Sequence, residues 1–175
     1  MLRLLLLRHA KAERLRPGER DHDRRLAERG RDEAAKVGAY MSKHGLLPDR
    51  ALVSTAARTR ETWDLAAAAM TQKLPVDFDE RIYEASPQTL LQVVKETDRS
   101  VRALLMVGHN PGLQELAALL IGTSDVDTRQ RLMEAFPTSG LAVIEFALDR
   151  WDRLHPQAGR LEHFIDPVSI AEATD

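Results

Sequence analysis

Two apolar runs, each ending in a histidine, constrain this chain more than any other feature. Leu2 to Leu7, broken only by Arg3, delivers Arg8-His9, and Ala103 to Val107 delivers Gly108-His109-Asn110-Pro111-Gly112. Short apolar runs bounded by polar and turn residues read as buried strands of an α/β sheet. In such sheets ligands bind outside the carboxyl ends of the strands. Two histidines at two strand ends, with an arginine beside the first, therefore point to an anion site, and to phosphate in particular.

The intervening pattern completes an α/β chain. Lys11 to Arg25, with Pro17-Gly18 at its middle and charges of both signs, reads as a long surface loop. Leu26 to His44 is predicted helical, with Leu26, Ala34, Val37, Tyr40 and Met41 as its buried stripe, Gly30 weakening its first turn and Gly45 as C-cap. Ala51 to Val53 is a short strand, after which Ser54 is expected to cap an alanine-rich helix with Arg58 in its first turn. Pro75 to Phe78 reads as a strand, Asp79 to Glu84 as an acidic turn, and Ser86-Pro87 as the start of a helix. Asn110-Pro111 is expected to open a helix through Ile121 in the same way. Leu141 to Leu148, Trp151 to Leu154 and Arg160 to Ile165 read as strands extending the sheet antiparallel at one edge, with a loosely ordered tail after Pro167. Alternating strands and helices predict a three-layer α/β/α sandwich with a mostly parallel central sheet.

At 175 residues, with neither a linker nor a repeat, the chain is expected to form a single domain over residues 1–175. A charged fraction of 30% and a net charge of −2 give no reason to expect nucleic acid or membrane as partner, so specific local charge must carry anion binding. The absence of cysteine excludes disulfides, thiolate metal sites and a cysteine nucleophile. Leu4 to Leu7 is too short for a signal-peptide core, and a cytoplasmic location is expected.

Phosphoryl transfer to a histidine needs a neutral imidazole as nucleophile, cationic donors on the non-bridging oxygens, and, for some leaving groups, an acid. Arg8, Arg58 and His109 can supply the donors, with the helix beginning near Asn110 adding its amides and dipole, while His9 attacks. Cations crowded around His9 are expected to lower its pKa and keep it unprotonated.

These residues carry a resemblance to the histidine phosphatase superfamily, the group that includes the cofactor-dependent phosphoglycerate mutases. Arg8-His9 resembles its amino-terminal signature, and Ser54-Thr55-Ala56-Ala57-Arg58-Thr59-Arg60-Glu61-Thr62 resembles the segment in which an arginine lies four residues after serine and four before threonine. That register selects Arg58 over Arg60. Glu84 falls where the family carries its proton donor, with Glu80 as the rival, and His109 matches the second histidine. The resemblance spans Leu2 to about Pro167. It implies a phosphoglycerate mutase-like fold, catalysis by His9, Arg8, Arg58, His109 and Glu84, a phosphohistidine enzyme intermediate, and neither cofactor nor metal. Leu5 to Lys11, Gly108 to Gly112 and Pro137-Thr138-Ser139-Gly140 look most like the SixA type, the phosphohistidine phosphatases, which implies a phosphohistidine-bearing protein as substrate and a part in signal transduction. A small phosphomonoester is the alternative substrate, and a phosphohistidine-binding module without turnover the alternative class.

Ala10 departs from the glycine most often found there, a small change if its φ is negative. No large insertion follows Glu84, so an open mouth is expected. His22, His44, His155 and His163 read as structural or solvated. Asp21-His22-Asp23 lacks a second ligand group for a metal, and Arg14, Arg16, Arg20, Arg24 and Arg25 are interleaved with acids as in a solvated loop.

Overall fold

The computed structural model describes residues 1–174. Its strands are β1 (Leu2–Arg8), β2 (Arg50–Val53), β3 (Val76–Phe78), β4 (Ala103–Gly108), β5 (Ile121–Ser124), β6 (Leu141–Phe146) and β7 (Gly159–Ile165). They form one sheet in the order β3-β2-β4-β1-β6-β7-β5. The β1/β4, β2/β4, β2/β3 and β5/β7 pairs are parallel, whereas β6 runs antiparallel to both β1 and β7. The helices are α1 (Glu28–Lys43), α2 (Ala57–Ala68), α3 (Pro87–Lys95), α4 (Gly112–Leu120), α5 (Val126–Glu134) and α6 (Pro167–Thr174).

Strand periodicity makes the three layers. Leu2, Leu4 and Leu6 of β1, with Leu104 and Met106 of β4, pack on one face against Leu90, Val93 and Val94 of α3 and Leu113, Leu116 and Leu120 of α4. Leu5, Leu7, Leu105 and Val107 point to the other face and meet Val37 and Met41 of α1, Trp63 and Ala66 of α2 and Ile170 of α6. Both faces of β1 and β4 are thus covered, which is why their sequences run apolar without alternation. The chain has a mixed α/β fold, one seven-stranded sheet covered by helices on both faces, as expected. Among the described residues no helix is long and apolar enough to cross a membrane.

Several local expectations are corrected. Ser54 does not cap α2, which starts at Ala57 after Ala56. The helix expected through Ile121 stops at Leu120, and residues 121–124 form edge strand β5 parallel to β7, followed by α5 with Asp125 as its side-chain cap. Trp151–Arg153 is a 3-10 turn, held by Trp151 Nε1 donating to the Val101 carbonyl at 2.7 Å, and β6 ends at Phe146. The tail is not loose: α6 places Ile170 in the core beside α1 and α2. Gly30, expected to weaken α1, is instead needed there, because a Cβ would lie 2.0 Å from the Lys11 carbonyl oxygen.

α1 and α2 meet as closely at Gly38, where an added Cβ would lie 2.2 Å from the Ala66 carbonyl oxygen. Backbone cannot yield as a flexible side chain can. Gly38→Ala is therefore expected to destabilise the protein by at least about 1–3 kcal/mol despite alanine's better helix propensity, read as a lowered denaturation midpoint in urea; an unchanged midpoint would contradict this packing.

Candidate active site

The β1/β4 register sets Arg8 opposite Gly108, and the His9 amide donates to the Gly108 carbonyl at 3.1 Å, so the residues that follow the two strands emerge together. The His9 and His109 rings are 5.3 Å apart, and their residues are only 7% and 8% exposed. His9 Nδ1 lies 2.8 Å from the Ala10 carbonyl. A carbonyl only accepts, so Nδ1 carries the proton and the lone pair of the neutral ring resides on Nε2. Ala10 is buried and lies outside the left-handed region, so its methyl brings no backbone strain in place of glycine.

The serine-arginine-threonine spacing has a physical meaning. Ser54 Oγ sits 2.7 Å from His109 Nε2 and orients that ring. Thr62 Oγ1 donates to the Arg58 carbonyl at 2.7 Å and accepts the Ala10 amide at 3.0 Å, tying α2 to the residue after His9. Arg58 lies one turn before Thr62 and is 5% exposed. Arg60 is exposed, its guanidinium stacked 4.1 Å above the Phe78 ring, clear of this cluster.

Each arginine is anchored by its terminal nitrogens. Arg8 Nη1 donates to the Phe136 carbonyl at 2.9 Å. Arg58 donates through Nη1 to the Asp21 carbonyl at 2.9 Å and through Nη2 to Asp21 Oδ2 at 3.0 Å. Arg24 Nη2 reaches Asp21 Oδ1 at 3.1 Å. The Nε atoms of Arg8, Arg24 and Arg58, together with His109 Nδ1, are buried and have no hydrogen-bond partner among the described residues. The three Nε–H groups are buried donors that demand an acceptor, and a phosphoryl group supplies several; His109 Nδ1 joins them in the tautomer in which the Ser54 hydroxyl donates to Nε2.

Burial is the largest cause that lowers the His9 pKa, to about 4, with Arg58, Arg8 and Arg24 adding to it and the Ala10 hydrogen bond opposing. Desolvation thus exceeds the expected crowding by cations. His109 is lowered to about 3, again chiefly by burial, then by His9 and Arg58.

The structure brings His9, Arg8, Arg58 and His109 together. Glu84 is placed differently: it is exposed, with φ of 52°, and makes neither a hydrogen bond nor an ion pair among the described residues. Its neighbour Tyr83 is the residue turned inward, with its ring 5.4 Å from His109 in an edge contact and its hydroxyl donating to Asp21 Oδ2 at 2.5 Å. Gly112 permits that turn to close in, because a Cβ there would lie 2.6 Å from the Ala85 carbonyl oxygen. His22, expected to be solvated or structural, meets Tyr83 edge-on at 4.9 Å and pairs with Thr55 Oγ1 at 2.9 Å. The sequence does not assign Asp21, Arg24 or Tyr83 to the site; the length of the loop over residues 11–25 is the signal for the first two, and the serine-arginine-threonine spacing points to Ser54 without showing that it holds His109. Asn110 Oδ1 accepts the Gln114 amide at 3.2 Å, so that helix-start donor is spent within the protein. Ser139, in the left-handed region, donates its amide to the Arg8 and His9 carbonyls, which gives the Thr138-Ser139-Gly140 segment its place behind the site.

Residues 4–138 match the histidine phosphatase superfamily (branch 1). The chain belongs to that superfamily. An uncharacterized protein of Mycobacterium tuberculosis is 37% identical over 163 residues, covering 92% of this chain and 99% of its own length. The crystal structure of a candidate phosphohistidine phosphatase SixA from Agrobacterium tumefaciens is 34% identical, with a TM-score of 0.79 over 95% of this chain and 99% of that one. A protein histidine phosphatase SixA complexed with tungstate shares the fold at 18% identity, with a TM-score of 0.78 over 97% and 99% of the two chains.

In the unfolded chain both imidazoles protonate near 6.5, whereas folded they stay neutral down to about 4 and 3. Their contribution is whole above pH 6.5 and is lost as pH falls through that window, because the unfolded state then binds the extra protons. The urea midpoint is expected to fall between pH 6.5 and 4, less steeply in His109→Gln. An equal slope in the variant would contradict the neutral buried His109.

Proposed function

We propose that this protein is a phosphatase that hydrolyses phosphohistidine on a protein substrate through a phosphohistidine intermediate at His9. The observation that carries the reading is the His9 Nδ1 bond to the Ala10 carbonyl, which leaves Nε2 as the nucleophilic atom of a ring held neutral by burial. Nε2 attacks phosphorus as the bond to the substrate's imidazole nitrogen breaks. Arg8, Arg58 and His109 donate to the non-bridging oxygens, where charge is carried through the transition state. Water then attacks the phosphoryl on His9, the Nε2–P bond breaks, and inorganic phosphate leaves with His9 restored.

An imidazole protonated on its far nitrogen departs neutral and demands less of an acid than an alkoxide does. The exposure of Glu84 and its lack of a tether fit such a leaving group. The 34% identity to the Agrobacterium protein along nearly its whole length favours the same substrate class.

The test is phosphate release from a histidine-phosphorylated phosphotransfer domain beside a small phosphomonoester, with His9→Ala as control. Fast release preferring the phosphoprotein, and a drop of at least about 1,000-fold in His9→Ala, is expected. Preference for the ester would reassign the substrate to small molecules, and phosphate binding without turnover would make this a binding module. With neutral His9 as the reactive form, the acidic limb of kcat/KM is expected near pH 4; a limb at 6 to 7 would contradict it.

A further inference from the structure

We propose that Asp21 is a positioning residue for the phosphate cradle, holding Arg58 and Arg24 by their terminal nitrogens so that their Nε–H edges face the phosphoryl group. This rests on the reading that the pocket takes a phosphoryl group. A guanidinium has five N–H donors in a rigid plane, so fixing its terminal nitrogens fixes where the remaining edge points. Asp21 does this twice. Its carbonyl and Oδ2 take Nη1 and Nη2 of Arg58, and its Oδ1 takes Nη2 of Arg24. Among the N–H groups left on each, the Nε–H is buried with no partner among the described residues, and the same holds for Arg8, whose Nη1 is taken by the Phe136 carbonyl.

The aspartate is itself held. Tyr83 donates its hydroxyl to Oδ2, and Arg24 Nη1 reaches the Glu13 carbonyl at 3.2 Å, so the 3-10 turn at Asp21–Asp23 is pinned from both sides. Charge gives a second reason for an acid here. Two guanidinium groups beside a pair of histidines repel one another, and a carboxylate between them lets both stay close. That carboxylate is ionised at any working pH, because its partners, led by the Tyr83 hydroxyl, hold it at about 2, and so it serves as a fixed strut without acting as an acid.

Two other roles predict different results. If Asp21 occupied Arg58 as an internal competitor of phosphate, removing it would tighten phosphate binding. If it merely anchored its loop, its loss would be independent of Arg58. The experiment is isothermal titration of the full chain with inorganic phosphate, for wild type, Asp21→Ala, Asp21→Asn, Tyr83→Phe, Arg58→Ala and the Asp21→Ala/Arg58→Ala pair. Positioning predicts a loss of between about tenfold and 100-fold for Asp21→Ala, from misplaced donors. Asp21→Asn, which keeps one acceptor, loses less, and Tyr83→Phe, which keeps the ring and removes only the hydroxyl, loses about threefold. The double variant is expected to fall short of the product of the single losses by more than about twofold, the mark of residues acting through one another. Unchanged or tighter binding in both Asp21→Asn and Tyr83→Phe, or a double loss equal to the product, would overturn the proposal while leaving the phosphatase reading intact. Wild type that binds no phosphate would overturn both.

Discussion

The parallel pairing of β1 with β4 is the constraint on which the site depends. Because Arg8 stands opposite Gly108, the two histidines that follow leave the sheet side by side, and the His9 amide completes the ladder on the Gly108 carbonyl. A slip of one residue would turn every β1 side chain to the opposite face, exchanging Leu4 and Leu6 with Leu5 and Leu7. With both faces buried under helices, that slip would repack both halves of the core. The packing that stabilises the fold therefore also fixes the separation of His9 and His109.

Burial sets the electrostatics of the site. Imidazoles inside a pocket of guanidinium groups cannot keep a proton, and burial adds more to that effect than the neighbouring cations do. The arginines themselves tolerate their surroundings because each has a fixed acceptor: the Phe136 carbonyl for Arg8, and Asp21 for Arg58 and Arg24. On the proposed reading these are pre-aimed donors around a neutral nucleophile, with little left to reorganise when a dianion arrives.

The strands that carry chemistry were legible because they are fully buried and their sequences say so. Apart from Arg3, Leu2 to Leu7 and Ala103 to Val107 are apolar throughout, and the histidines follow where those runs stop. Elements at the margins were not. Ile121 closes the apolar run of α4, so periodicity places it in the helix, and nothing in Gly122-Thr123-Ser124 reads as a strand; only the parallel partner β7 makes residues 121–124 one. Ser54 looked like a helix cap because serine is a common one; its hydroxyl is used by His109, which lies 55 residues further along the chain. Asp21 and Arg24 read as members of a mixed-charge loop, since nothing local distinguishes a charge paired with its neighbour from one paired across the fold.

The account turns on one atom, Nε2 of His9. The direct measurement is to quench the enzyme in alkaline denaturant during turnover of a histidine-phosphorylated protein, map the phosphoryl group by mass spectrometry, and assign its ring nitrogen by phosphorus NMR. A single acid-labile phosphoryl on Nε2 of His9 is the predicted result. A phosphoryl on Nδ1 or on another residue, or full turnover by His9→Ala, would contradict it.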